Sequence, residues 1–358
     1  MFNFGRNVGG YEPINESDYS IENNGHLLAI QEAFEDLAEI NASVAEMNDR
    51  CVDAYGTARF EQGQTASMAT ATMESAMAPV MEGFFGDMKD KLISMLKKMK
   101  EKIIAFFKSA LKYFNALFMN ARDFAEKYED ELNEVDTDGL KVEMYDYANL
   151  SKYGNTLKNI GKSLGEFKWN GKDLEPAGAV GAKVGQAANV AGDKESAIKK
   201  EYLKSVRGDL LKGTDASSGE ASNEKMHAAI RKFLRGGKSA PKLMAVDVSK
   251  LISELKDDDV TDVCEGVRDD VIDELDNILD ELNKIKDDTA DKLKGEEDEG
   301  VKNMVKTNLR AAKLHVSCFT EAKSIVMGAF DVYKSVVNER NSAYKSALSK
   351  ALHYKKKD

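Results

Sequence analysis

A stretch of fifty residues, 83–132, constrains the fold more than any other part of the chain. It contains no proline, although the chain has four prolines in 358 residues, and its apolar side chains recur at steps of three and four. Because an α-helix turns once every 3.6 residues, this spacing keeps the apolar side chains on one face. The stretch predicts a single amphipathic helix about 75 Å long, at 1.5 Å per residue.

The apolar face of this predicted helix needs a covering surface. A lone helix in water leaves it exposed, whereas burial of a large apolar side chain contributes about 1.5 kcal/mol or more. We therefore expect these side chains to pack against copies of the same protein or against other proteins. The residues concerned are Met88, Leu92, Met95, Met99, Ile103, Phe106, Phe114, Leu117, Phe124 and Tyr128.

The charges of the same stretch are divided unevenly. Residues 84–121 carry eight lysines against three acids, whereas residues 123–138 carry eight acids against Lys127. A basic amphipathic helix can also lie in a membrane interface, where apolar burial and anionic lipid hold it. An anionic bilayer repels the acidic end, so packing against protein is the favoured interpretation, and membrane contact through 84–121 is the alternative.

The composition of the whole chain argues against several classes of protein. A formal net charge of −11 disfavours nucleic acid as the main partner, because phosphate backbones are bound by clustered lysine and arginine. The three cysteines, Cys51, Cys264 and Cys318, form no CxxC motif and predict reduced thiols. The first residues lack the pattern of a secretory signal, and no run of about twenty uncharged apolar residues predicts a transmembrane helix.

Composition and periodicity divide the chain into four predicted regions. Residues 1–24 predict an extended or disordered arm, and residues 25–138 predict a long-helix region that contains the stretch described above. Residues 139–240 are rich in glycine and predict short helices in a partly irregular region, and residues 241–358 predict an antiparallel helical hairpin. The expected fold is therefore mainly α, an elongated bundle of long amphipathic helices.

Local patterns predict a few elements inside the glycine-rich region. The segment 142–147 predicts one short strand, and the segment 167–169, which precedes an Asn-Gly pair, predicts the turn of a hairpin. The segments 194–211 and 224–236 predict two short helices, separated by the polar sequence KGTDASSGEASN. Any sheet in this region is expected to be minor.

The last third of the chain carries the clearest heptad pattern. Apolar residues four, three, four and three apart predict the seam of a coiled coil. This seam consists of Val271, Leu275, Ile278, Leu282 and Ile285. A second apolar stripe begins at Val301, after the turn sequence GEEDEG, and continues toward the basic tail KALHYKKKD. We expect that tail either to be solvated or to dock on an acidic partner.

Motifs that carry chemistry are scarce in this sequence. It contains no phosphate-binding, zinc-protease or serine-hydrolase motif. His315 and Cys318 share one helical face, which fits a nucleophile with its base or half of a metal site, but no third ligand or orienting acid is recognisable beside them. The acidic run 257–270 lacks the ligand spacing of a calcium loop. We expect a packing face at His315, no cofactor, no metal, no small-molecule substrate and no enzymatic activity.

Four segments carry a resemblance to a known group of proteins. They are FFGDMKDKL, KIIAFFKSALKYFNALF, FAEKYEDEL and VEMYDYANL, and they fall within about residues 83–150. This order of a lysine-and-aromatic rod, an acidic end and a short aromatic segment resembles virion structural proteins of large tailed phages, particularly myoviruses of Gram-positive hosts. The resemblance implies a protein made in the host cytoplasm and assembled in many copies in the virion, with the head interior as one expected location.

The same resemblance implies a processing site and a function. The sequence VMEG, at 80–83, is similar to sites where prohead proteases of such phages cleave after glutamate, which implies cleavage after Glu82. We expect a non-enzymatic virion structural protein that assembles with itself or with other virion proteins. The alternative is a membrane-active helical protein, either pore-forming or ejected by the phage, that acts through the basic segment 84–121.

Overall fold

A computed structural model describes most of the chain beyond its first quarter. The described residues are 90, 93–94, 96–112, 121–169, 174–176, 194–216, 222–256, 259–293 and 299–354, and only the backbone is described at 168–169, 174–176, 259, 285–293, 299–310 and 313. All of them belong to one compact unit, Phe85–Asp358. Predictions made for Glu82, Met88, Leu92, Met95, Phe114 and Leu117 lie outside the described residues.

The described chain is mainly helical, which confirms the prediction of a mainly α fold. The helices are α1 (96–112), α2 (121–127), α3 (Glu129–Asn133), α4 (Asn149–Lys158), α5 (Gly161–Leu164), α6 (Lys194–Leu210), α7 (Asn223–Leu234), α8 (Val248–Lys256), α9 (Asp259–Leu293) and α10 (Glu299–Tyr354). The strands are β1 (Lys141–Met144), β2 (Phe167–Trp169), β3 (Leu174–Pro176) and β4 (Lys242–Ala245). No described helix has the length and apolar character that crossing a bilayer requires.

The longest described element, α10, has 56 residues and is about 84 Å long at 1.5 Å per residue. Helix α9 packs along it in the opposite direction. The opposite direction follows from two sets of contacts. Near the beginning of α9, Phe107 contacts both helices, since its ring lies 5.4 Å from that of Phe330 in α10 and its carbonyl oxygen lies 3.9 Å from the Cys264 sulfur in α9. Later in α9, Glu281 contacts His315, which lies earlier in α10 than Phe330. The predicted seam of α9 is buried at Val271, Leu275, Ile278 and Leu282, and the side chain of Ile285 is not described.

Helix α1 packs against both long helices. The direction of the segment that begins with α1 is the same as that of α10, since Phe106 lies 6.1 Å from Phe330 and Phe124 lies 5.6 Å from the Lys345 ammonium. Toward α9, the Lys100 ammonium lies 2.7 Å from the Asp276 carboxylate. The apolar spacing of α1 therefore faces the chain's own helices. The side chains buried there are Leu96, Met99, Ile103, Phe106, Phe107 and Ala110.

The single long helix predicted for 83–132 is interrupted at Tyr128. This residue has φ −114° and ψ 11°, so it separates α2 from α3. The interruption places Glu129, Asp130 and Glu131 in the first turn of α3, where the amide groups of a helix favour negative charge. In one uninterrupted helix the same acids would lie near the carboxyl end, where the dipole disfavours them. An ion pair of 2.8 Å between Glu129 and Lys256 then joins α3 to α8.

Two small antiparallel sheets accompany the helices. The strand predicted at 142–147 corresponds to β1, which pairs with β4 so that Lys141 lies opposite Ala245 and Met144 lies opposite Lys242. No sequence pattern predicted β4. Strands β2 and β3 pair as a hairpin would, with Phe167 opposite Pro176, and the predicted Asn-Gly turn between them lies outside the described residues.

The helices of the glycine-rich region pack on the two long helices. Helices α4 and α5 lie against α9, whereas α6 and α7 lie against α10, and both α6 and α7 match the predicted short helices. The Gly161 amide donates a 2.7 Å hydrogen bond to the Asp270 carboxylate, which fixes α5 on α9. The regions that the sequence analysis divides at 138/139 and 240/241 thus share one packed body.

We expect Gly154→Ala to destabilise the fold. Gly154 is buried in α4, and a methyl group there would lie 2.8 Å from a Val263 methyl carbon and 3.2 Å from the Tyr333 hydroxyl. Overpacking against a stiff β-branched side chain costs about 1–3 kcal/mol, which urea denaturation followed by circular dichroism would measure.

Gly208→Ala is the matched control for that substitution. Gly208 is exposed in α6, and a methyl group added there would meet nothing within 4 Å, so alanine adds helix propensity without a clash. We expect stabilisation by up to about 1 kcal/mol. Equal effects of the two substitutions would contradict the close packing of α4 against α9 and α10.

Candidate functional site

The most unusual group of side chains in the described core is a histidine held between two glutamates at the contact of α9 and α10. His315 Nε2 lies 3.1 Å from Glu274 Oε1, and His315 Nδ1 lies 3.2 Å from Glu281 Oε2. Only 1% of His315 and 6% of Glu274 are exposed to solvent. We call these three residues the histidine cluster.

Helical spacing explains how the histidine cluster forms. Glu274 and Glu281 are seven residues apart, about two helical turns, so both carboxylates lie on one side of α9. They immediately precede Leu275 and Leu282 of the buried seam, in the flanking positions where coiled coils place charged residues. His315 enters from α10 between them.

The electrostatics of the cluster favour a charged imidazole. Burial alone would lower the pKa of His315, but hydrogen bonds to Glu274 and Glu281 and their negative charges raise it to about 9. Below that pH both ring nitrogens carry protons and donate to the carboxylates. The ring is thus an imidazolium shared by two glutamates, in a place that water barely reaches.

Elements of the glycine-rich region cover the histidine cluster. The Phe167 ring lies 6.4 Å from the His315 ring, and it packs at 4.5 Å on the ring of Tyr202 in α6. The Tyr202 hydroxyl donates a 2.9 Å hydrogen bond to the carbonyl of Leu164. Nearly two turns further along α10, Lys199 forms an ion pair with Glu321. These contacts close the cluster against solvent.

The structure separates the roles of His315 and Cys318, which the sequence places on one helical face. Cys318 is fully buried, and burial raises the pKa of its thiol to about 12. Both nitrogens of His315 are already engaged with glutamates, so the imidazole is not arranged as a base for this thiol. Cys264 is similar, with a pKa raised by burial to about 12. Neither cysteine is therefore prepared as a nucleophile.

The same geometry bears on metal binding. A histidine coordinates a metal through a nitrogen lone pair, whereas the imidazolium of His315 has none. Among the described residues, no group of three or more histidine, cysteine, aspartate or glutamate side chains is arranged to hold a metal ion. The histidine cluster is consequently an arrangement of ion pairs.

A second buried ionisable group lies where α10 faces α1. Lys323 is 8% exposed, at a position where the sequence shows an apolar stripe. Burial, followed by the positive charge of Lys102, lowers its pKa to about 8. A lysine is tolerated at such a position because its long aliphatic stem can be buried among apolar side chains.

A cluster around Glu339 fastens the β1–β4 ribbon to the carboxyl-terminal half of α10. The Arg235 guanidinium donates to the Glu339 carboxylate at 2.6 Å, and the Tyr147 hydroxyl donates to the same carboxylate at 3.2 Å. Arg235 also stacks on the Tyr145 ring, with its guanidinium carbon 4.6 Å from the ring centre. Burial and the neighbouring carboxylate raise the pKa of Tyr147, so its hydroxyl stays protonated as a donor.

The structure places the described members of the predicted packing set inside the chain's own core or at its edge. Met99, Ile103 and Phe106 are buried between α1 and the two long helices, together with the seam of α9. Phe124 and Tyr128 are half-buried, and their rings contact each other at 5.1 Å. The burial of these side chains therefore does not require a second molecule.

Sequence reasoning singled out His315 and missed its two glutamates. The available signal was the repetition of glutamate beside the seam leucines, seven residues apart, combined with a histidine in the apolar stripe of the facing helix. Comparisons with protein-family models, with curated proteins and with solved structures found no match.

We expect His315→Leu to destabilise the protein strongly. The substitution leaves the Glu274 and Glu281 carboxylates facing each other without a cation, and removal of one partner from a buried ion pair costs about 3–5 kcal/mol. Urea denaturation of wild type and variant at neutral pH measures the loss. His353→Leu is the control, because His353 is exposed near the end of α10.

The pH dependence tests the same cluster independently. The folded pKa of about 9 lies above the ordinary histidine value of 6.5, so the contribution of His315 is fully present below pH 6.5 and is lost as the pH rises through 9. We expect the difference in unfolding free energy between wild type and His315→Leu to shrink over this window. A difference that is the same at pH 6 and at pH 10 would refute the charged state of His315.

Proposed function

We propose that this chain is a non-enzymatic structural protein of phage virions, which assembles with copies of itself or with other virion proteins. The observation that carries the proposal is the way the described core uses its most reactive side chains. His315 is held by two carboxylates, and burial keeps Cys264 and Cys318 protonated. In the part of the chain that the structure describes, these groups lie in the packed interior of a long helical body, which supports a structural role for them.

The resemblance over 83–150 supplies the virion part of the proposal. Its lysine-and-aromatic pattern corresponds in α1 to two separate faces, an apolar face buried in the bundle and an exposed face that carries Lys97, Lys98, Lys108 and Lys112. The buried face holds the chain together. Partner proteins in the virion would therefore meet the exposed, charged face, and the resemblance is compatible with a position inside the head.

Proteolytic trimming after Glu82 forms part of this proposal. The VMEG sequence at 80–83 precedes the compact unit Phe85–Asp358 by a few residues. A cut between Glu82 and Gly83 would leave the backbone of this unit intact.

We expect mass spectrometry of purified virions, from the phage whose genome encodes this chain, to detect the protein with Gly83 as its first residue. Newly made protein from infected cells before assembly is the control, and it should still contain the residues that precede Gly83. Absence of the chain from purified virions would overturn the proposed function. Presence with an untrimmed amino terminus would overturn only the trimming.

One observation favours a second candidate, contact of the basic segment 84–121 with a membrane. The exposed lysines of α1 form a cationic surface of the kind that anionic lipid attracts. Insertion, however, needs several large apolar residues at the surface, and those of α1 face the interior except Ile104. A membrane-active form would have to open the contact between α1 and the two long helices.

We expect the intact chain not to float with anionic liposomes in a density gradient at about 0.1 M salt, because the apolar face of α1 is occupied. The urea-unfolded chain, diluted into the same liposomes, is the control in which that face is available. Salt-sensitive flotation of the folded chain would favour the membrane candidate over a structural role.

A further inference from the structure

Two exposed stripes of opposite charge lie on neighbouring helices. The basic stripe is the solvent side of α1, and the acidic stripe is the solvent side of α9. Each stripe follows the helical repeat, so its charges point in one general direction. The basic stripe consists of Lys97, Lys98, Lys108 and Lys112, and the acidic stripe consists of Asp262, Glu265, Asp269, Asp273 and Asp280.

The two stripes run side by side in opposite directions. The Lys100 ammonium lies 2.7 Å from the Asp276 carboxylate, and the Cys264 sulfur lies 3.9 Å from the carbonyl of Phe107. The Lys100–Asp276 contact makes positions level whose residue numbers sum to 376, and the Phe107–Cys264 contact makes positions level whose numbers sum to 371, so the two contacts agree to within five residues, or about 7.5 Å along the helix axes. The beginning of α1 is level with the middle of α9, and its end is level with the beginning of α9.

We propose that two copies of this chain bind each other through these stripes, each basic stripe on the acidic stripe of the other copy. A two-fold axis parallel to the helices places α1 of one copy opposite α9 of the other copy. This rotation does not change the position of any residue along the axis. Residues that are level within one chain therefore face each other between copies, with both contacts formed at once. This inference rests on the proposed function, since it names the surface used for self-assembly.

The spacing of the charges fits this arrangement. In the antiparallel register set by the Lys100–Asp276 contact, Lys97 faces Asp280, Lys108 faces Asp269 and Lys112 faces Glu265 of the other copy. Both sets are spaced by eleven and four residues, so three pairs match in one register. Complementary charges at matched positions select the partner and the register more than they add affinity.

An apolar contact lies among the charged pairs. Ile104, on the solvent side of α1, is 43% exposed, which is unusual for a large aliphatic side chain in this chain's described part. Ile272, half-buried on α9, lies within about one residue of the matching height. Contact between Ile104 and Ile272 of the other copy would remove apolar surface from water at both sites.

Three charges oppose the attraction and limit its strength. Glu101 lies within the basic stripe, and two members of the acidic stripe already have cationic partners, since Arg268 lies 2.8 Å from Asp269 and Lys158 lies 3.5 Å from Asp262. Each stripe nevertheless keeps an excess of its own sign. Exposed ion pairs are weak and screened by salt, so the interaction is expected to depend strongly on ionic strength.

A second copy fits these surfaces better than the other candidates. An anionic membrane or a nucleic acid would attract the basic stripe, but the adjacent acidic stripe would repel it. Another copy of the chain presents both signs in the required register. The pair of stripes is therefore self-complementary.

Sedimentation velocity of the full-length chain tests the proposal. We expect a dimer at about 0.1 M salt that dissociates toward monomer at about 1 M salt. The variant Lys97→Glu/Lys108→Glu/Lys112→Glu and the variant Glu265→Lys/Asp269→Lys/Asp280→Lys should each dimerise at least roughly tenfold more weakly, because like charges then face each other. Circular dichroism melts should confirm that each variant is folded.

Mixing the two variants gives the decisive result. One has two acidic stripes and the other has two basic stripes, so an equimolar mixture should restore the dimer as a heterodimer. The control variant Lys238→Glu/Lys242→Glu changes charge at exposed lysines of another surface and should dimerise like wild type. A monomeric wild type at low salt, unaffected dimers in the variants, or no restoration in the mixture would each overturn the proposal.

These outcomes are distinguishable from failure of the proposed function. A chain that is found in virions but stays monomeric in this experiment would refute the dimer alone. A chain that dimerises as described but is missing from purified virions would refute the virion role and leave the dimer standing.

Discussion

The contact between α9 and α10 is the interaction on which the rest of the described structure depends. Helices α4 and α5 pack on α9, and α3, α4, α6, α7 and α8 pack on α10, while α1 reaches both through Phe107. Short helices such as these are marginal in water because helix nucleation is unfavourable, so their stability comes from the surface they cover. Without the long pair, that surface does not exist.

The histidine cluster fixes the register of this contact. An apolar seam alone tolerates a shift by one heptad, because leucine, valine and isoleucine replace one another with little loss. Displacement of α10 along α9 would separate His315 from one or both glutamates and leave buried carboxylates without a partner. Burying three ionisable groups costs free energy in the native register, where they pair with one another. The cost is higher in any other register, because the pairing is lost.

Periodicity in the sequence was enough to predict the mainly helical fold, the two short helices α6 and α7, and the strand β1. It did not predict β4, whose pairing with β1 joins residues about a hundred positions apart without a local turn signal. It also did not show what α1 packs against, because an apolar stripe predicts that one helix face is buried but does not identify the surface that covers it. The histidine cluster was missed because His315 lies on α10 and its two glutamates lie on α9. Their contact depends on how the two helices are aligned, and the local sequence of neither helix contains that information.

The continuity of α10 has a mechanical consequence. Because this one helix of 56 residues passes along α3, α6, α7, α8 and α9, tension applied along its axis reaches all of these contacts without crossing a flexible joint. The contacts lie parallel to the load and are sheared together, instead of being peeled apart one after another. A body of this construction resists stretching along its length better than it resists prying between its helices.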